Sequence, residues 1–201
     1  MAQVKKEFFN LQNDIYLCFA YCVPASSKVL QRDFMPDDVY DSLDGQLAEY
    51  SALGELILMT DANARTLTGL DYIENEDNTH IPIPSPDIYE VDTIATYPRN
   101  NLDMGTNSYG ERFLETCRKV PLRMCNGRKV GDLIGNYTCY HRNTGQSTVD
   151  YCAVSPELFQ KVLFFLVSLV LPVCSDNTPI SIALNLTRLS GLKLLLVSSN
   201  F

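Results

Sequence analysis

The chain has 201 residues, 46% of them hydrophobic and 20% charged. That balance excludes a disordered or low-complexity polypeptide and suits one domain, or one domain with a tail. Sixteen Lys and Arg against 24 Asp and Glu leave a formal charge of −8, which excludes a general nucleic-acid coat protein, though not an enzyme that grips one phosphodiester through a metal and a few arginines.

The N-terminus, MAQVKKEFFNLQND, has basic residues but no apolar core of signal-peptide length. Asp14 to Tyr21 alternates Ile15, Leu17, Phe19 and Tyr21 on one face, which predicts a strand ended by Pro24 and a Ser26-Ser27 turn. Asp37 to Leu53 predicts an amphipathic helix. Asp37 or Asp38 caps it, Val39, Leu43, Leu47 and Tyr50 or Ala52 form its inward stripe, and Gly54 stops it. Glu55 to Thr60 predicts a short buried strand.

From Asp61 to about Ser108 the chain is polar and rich in Pro, Asp and Asn; loops of this length are usually functional or mobile. Tyr109 to Arg118 predicts a helix with Phe113, Leu114 and Cys117 inward. Leu122 to Cys125, Tyr137 to His141, Val149 to Val154 and Ile180 to Leu186 predict further short strands. Val162 to Cys174 is the most apolar run. It is shorter than the roughly 18 residues needed to span a bilayer, carries Ser168 and Pro172, and reads as a buried strand. Mixed helices and hairpin-like runs predict a layered α/β sandwich rather than a parallel sheet. The seven cysteines (Cys18, Cys22, Cys117, Cys125, Cys139, Cys152, Cys174) are odd in number and scattered, with no CxxC pair and only His80 and His141 to assist. They read as buried free thiols in a reducing compartment, not as a zinc site.

Three aspartates sit at strand positions: Asp61 with Asn63 two residues on, Asp150 in Ser147-Thr148-Val149-Asp150-Tyr151, and Asp176 after the apolar run. A carboxylate at the end of a buried strand must be paired, hydrogen-bonded or metal-bound. Converging carboxylates suit Mg²⁺, which can activate water and stabilise charge on a phosphoryl group. From spacing alone, each also suits a turn or helix cap.

The wording around these residues is more specific. Leu56 to Thr66 (LILMTDANART) resembles the "GDFNART" motif of the endonuclease/exonuclease/phosphatase superfamily, and most resembles the endonuclease domains of non-LTR retrotransposons. Ile15 to Pro24 resembles the preceding strand of that group. Arg99 to Gly110 with Phe113 to Cys117, Asn126-Gly127-Arg128 through Cys139, Ser147 to Tyr151, and Ser175 to Ile180 resemble its later motifs in order. The resemblance covers roughly residues 10 to 186, leaving 1–9 as an N-terminal extension and 187–201 as a tail foreign to the pattern.

This resemblance implies a DNase I-like four-layer α/β sandwich and Mg²⁺-dependent, in-line hydrolysis of a DNA phosphodiester. It implies that Asp61 and Asn63 hold the attacking water and a phosphate oxygen near the metal. Asp150 would orient the catalytic His–Asp arrangement and Asp176 would sit beside the metal, so that Asp61 and Asp176 are its ligands. Thr138 and Ser147 would lie on loops facing the nucleic acid, and Arg65 would contact a phosphate or lie solvated.

Four departures qualify this. Asn177 stands where the family has its His, its general base or phosphate stabiliser, and a neutral amide cannot take up a proton; losing a general acid–base group costs roughly 10²–10⁴ in rate. About ten residues precede the first matched strand, too few for the family's earlier strands and its metal-binding Glu, so the chain reads as truncated and the sandwich as incomplete. Thr60 replaces a Gly before Asp61, and the tail Leu189 to Phe201 matches nothing in the family. The expectation is therefore a retroelement-derived endonuclease domain with impaired activity, in nucleus or cytoplasm. The alternatives are a non-catalytic remnant that binds nucleic acid or protein, and a phosphatase of the same superfamily.

Overall fold

The computed structural model describes residues 1–9, 11–27, 36–74, 92–141, 145–168, 176–186 and 194–199. Its frame is a five-stranded mixed sheet in the order β1-β2-β3-β7-β4. These strands are β1 (Ala2–Val4), β2 (Asp14–Tyr21), β3 (Gly54–Asp61), β4 (Arg123–Met124) and β7 (Asp150–Val154). β2 and β3 are parallel and joined through helix α2 (Pro36–Ser51), following the short α1 (Lys6–Phe9). A parallel pair needs such a crossover. β7 inserts antiparallel beside β3, with Asp61 directly opposite Asp150.

β3 is central, and its alternation serves two cores. Leu56 and Leu58 join Cys18, Tyr151 and Met124 under α2 and helix α3 (Ser108–Lys119), which contribute Tyr40, Leu47, Phe113 and Cys117. Ile57 and Met59 face the other way, with Ile15, Cys152 and Val154. They pack on Phe165, Ile180, Ile182 and Leu184 of a second, antiparallel sheet ordered β10-β9-β8. Its strands are β8 (Val162–Val167), β9 (Ile180–Asn185) and β10 (Leu194–Ser199). Helix α4 (Pro156–Lys161) adds Leu158 and Phe159 to that second core. Helices, sheet and sheet thus make three layers of the expected sandwich. A separate hairpin, β5 (Cys139–His141) and β6 (Gly145–Ser147), stands at one end.

Several expectations shift. β8 is half-buried rather than buried: Val162 and Phe165 point inward while Leu163, Phe164 and Leu166 are exposed, and residues 169–174 lie outside the described set. α2 ends at Ser51 and Gly54 already begins β3, so that Gly opens the strand instead of closing the helix. The side chains of Asp37 and Asp38, and residues His80, Cys174, Ser175 and 187–193, also lie outside the described residues. Residues 2–4 pair antiparallel with β2, and 194–199 pair with β9, so both expected flanks contribute strands to the sheets. The six described cysteines are buried and free. No helix among the described residues is long and apolar enough to cross a membrane.

Candidate active site

Because Asp61 ends β3 and Asp150 starts β7 in direct register, their side chains lie side by side. Strand alternation puts both on the face of Ile57, Met59 and Cys152, at the mouth of the gap between the sheets. Both are buried, Asp150 completely. Asn177, just before β9, closes the gap: its Nδ2 donates to Asp61 Oδ2 at 3.0 Å and to Asp150 Oδ1 at 3.3 Å. Asp61 Oδ1 accepts the Asn63 amide at 3.1 Å. Asp150 Oδ2 is buried with no hydrogen-bond partner.

The electrostatics follow from this placement. Burial pushes the Asp150 carboxyl up to about 8, with the charge of Asp61 adding to it and the Thr138 hydroxyl opposing. Burial also raises Asp61, against the Asn63 amide, the Asn177 side chain and the nearby His141. A pair of neighbouring carboxylates held out of water is costly, and such groups cluster at functional sites.

Asn63 takes a left-handed conformation, φ 46°, which Asn tolerates better than most residues. Its Nδ2 donates to the Cys22 carbonyl at 2.8 Å. Asn107, the N-cap of α3, ties this turn down: its Oδ1 accepts from the amides of Gly110 and Arg65, and its Nδ2 donates to the Asn63 carbonyl. Arg65 is held by a two-pronged ion pair to Asp103, whose buried carboxylate also accepts the amides of Gly105 and Thr148. A Cβ at Gly105 would lie 2.0 Å from the Arg65 guanidinium carbon, so a larger residue there would push Arg65 off Asp103.

Thr138 is not on a loop facing outward. It is fully buried, and its hydroxyl accepts the amides of Val149 and Asp150 at 3.0 and 2.9 Å. It thereby fixes where β7 begins. Ser147 does reach a cleft of about 290 Å³, lined by Asn63, Arg65, Asn107, His141, Gln146 and Ser147 among others. Asp176 is exposed, and its Oδ2 lies 3.6 Å from His141 Nδ1. The site thus joins Asp61, Asp150 and Asn177 directly, places Asn63, Arg65 and Ser147 on the adjoining cleft, and leaves Asp176 on its rim. The sequence reading did not single out Asp103 or Asn107, and His141 stood outside its motif positions. The Asn-x-x-Gly pattern at 107–110 is an N-cap signal that marks the second.

The Mg²⁺ that the resemblance implies does not fit these residues as they stand. The amide N–H groups of Asn177 fill the space between the two carboxylates, where a cation would need oxygen ligands. Asp176, its expected second ligand, is engaged with His141. Among the described residues no group of three or more His, Cys, Asp or Glu is placed to hold a metal ion.

No family model matches this chain, and no curated protein matches it. Solved structures do. The chain is similar to a 3′ phosphatase, NExo, from Neisseria bound to product DNA hairpin, at 14% identity and a TM-score of 0.54, over 86% of this chain and 61% of that one. It is also similar to the 3′-5′ exonuclease NExo from Neisseria meningitidis, at 13% identity and a TM-score of 0.49, over 84% of this chain and 59% of that one. The fold is DNase I-like. The chain spans about 61% of the length of the first of these structures.

Proposed function

We propose that this domain takes a nucleic-acid phosphodiester into the cleft beside Asp61 and Asp150, and that it is a phosphodiester hydrolase of the retroelement endonuclease type with much reduced activity. The observation that carries both halves is the Asn177 bridge between the two buried carboxylates. The resemblance expects the reacting phosphate beside this pair, and an imidazole where this chain has the Asn177 amide. Asp61 and Asp150 would orient water and the phosphate, with Asn63 and Arg65 at the cleft wall. No step is assigned to a bound Mg²⁺. Non-catalytic binding of the same ligand is the second reading, and the same amide favours it.

The test is nicking of supercoiled plasmid in Mg²⁺ by the purified chain, with Asp61→Ala and Asp150→Ala as controls. Nicking is expected to be roughly 10²–10⁴ slower than for a complete domain, abolished by both substitutions and raised by Asn177→His. Rates equal to a complete domain would refute the impairment. Nicking unaffected by either Ala substitution would remove the site.

A further inference from the structure

We propose that His141, held by Asp176, donates a hydrogen bond to the phosphodiester in the cleft, the part that the resemblance assigns to residue 177. This rests on the functional reading above. Asp61, whose chain neighbour Asn63 lines the cleft, repels a phosphate when ionised, so a ligand of that class gains from a donor of positive character in the lining. Among the described residues of the lining, Arg65 and His141 are the two side chains able to carry positive charge. Arg65 is already spent on Asp103, with its Nε and Nη2 on the two oxygens of that buried carboxylate.

His141 is placed differently. It sits on β5, its side chain 52% exposed, with Nδ1 3.6 Å from Asp176 Oδ2 and Nε2 3.4 Å from Cys139 Sγ. The carboxylate lies within ion-pair range of the ring, slightly beyond hydrogen-bond distance, on the side away from Nε2. A thiol is a weak hydrogen-bond partner, so Nε2 exchanges it readily for a phosphate oxygen, a much stronger acceptor. Cys139 pairs with Asn177, and the Tyr140 amide donates to the Asp176 carbonyl at 2.8 Å, which brings the hairpin that carries His141 against the loop that carries Asn177. The site therefore has an imidazole–carboxylate pair delivered from the hairpin side, while the loop before β9 supplies only the amide of Asn177. Asp176 is the positioning residue in this arrangement.

The chain contains two histidines, His80 and His141, so their ring NMR signals are few and His141→Gln assigns them. A short single-stranded DNA oligonucleotide, added in EDTA to the full chain, is expected to shift the His141 signals and leave those of His80 unmoved. By fluorescence anisotropy, affinity is expected to fall about tenfold in His141→Ala, the loss of one charge-assisted hydrogen bond. It should return only in part in His141→Gln, whose amide donates without charge. Asp176→Asn is expected to move the His141 signals in the free protein and to weaken binding less than His141→Ala. An oligonucleotide that binds with the His141 signals unmoved and with full affinity in His141→Ala overturns this proposal and leaves the functional reading intact. No binding by the unaltered chain overturns both.

Discussion

Asp150 carries the largest electrostatic cost in the site. It is fully buried, faces Asp61, and has one oxygen with no partner. Its folded-state value of about 8 lies above its ordinary 3.8, so between those limits the folded protein holds a proton that the unfolded chain releases. Its contribution to stability is complete below about pH 4 and is lost as the pH rises through about 8. Urea unfolding from pH 5 to pH 8.5 is expected to show stability falling with pH. Asp150→Asn, which cannot ionise, should flatten that slope. An unchanged slope in the variant would mean that the carboxylate is already charged at pH 5. The same residue shows what a sequence can hide. That Asp61 and Asp150 matter is legible from their strand-end positions, but that they oppose one another in register depends on β7 docking against β3. No local pattern states that pairing. Asp103 went unnoticed for a similar reason: an aspartate in a polar stretch looks like every other, and its four hydrogen bonds come from residues 65, 105 and 148.

Elements with a clean period were legible. β2, β3 and α3 fall within a few residues of expectation because alternation or an inward stripe defines them. β1 was missed because three residues carry no period. The exposed side of β8 was misread because an all-apolar run gives no sign of which face is wet. The described ends of the long polar stretch are held by ion pairs distant in sequence. Arg128 grips the buried Asp71 with two bonds of 2.8 Å, and Arg123 pairs with Asp92. At this scale Thr138 is the informative position, since its hydroxyl joins the hairpin to the start of β7. Thr138→Val leaves two buried amides without an acceptor and is expected to destabilise the fold by about 2–4 kcal/mol. Thermal unfolding measures the loss, and a ΔTm near zero would mean that other acceptors replace the hydroxyl. The outer face of the second sheet offers a milder change. Phe164 and Leu196 flank Ala183 in one apolar row, and Leu196 is 65% exposed. Leu196→Lys is expected to reduce light scattering at high protein concentration with little change in Tm. A large fall in Tm would show that Leu196 packs against something.

For the whole molecule, a charge of −8 sets the terms of any contact with nucleic acid. Among the described residues that line the cleft, Arg65 and His141 are the side chains able to carry positive charge, so binding there should be weak and only shallowly salt-dependent. A log–log slope of about −1 to −2 is expected, from one or two phosphate contacts. A slope steeper than about −4 would point to a basic surface other than the cleft. The helix–sheet–sheet layering determines where that cleft can be, because the mouth between two sheets is where strand-end residues from positions 61, 150 and 177 meet.

The contact between Ile73 and Asp92 has a consequence for how this chain can change length. Ile73 and Asp92 are joined by a 2.7 Å bond from the Ile73 amide to the Asp92 carboxylate, and Arg123 holds Asp92 from the other side. With Ile73 and Asp92 joined, lengthening the chain between them costs only about 0.6 kcal/mol for each doubling of length. The stretch between these two residues is therefore a natural graft point. A small reporter domain spliced there should leave the sheets and the carboxylate pair undisturbed, and lineages of such chains should tolerate insertions there more readily than anywhere between β4 and β7.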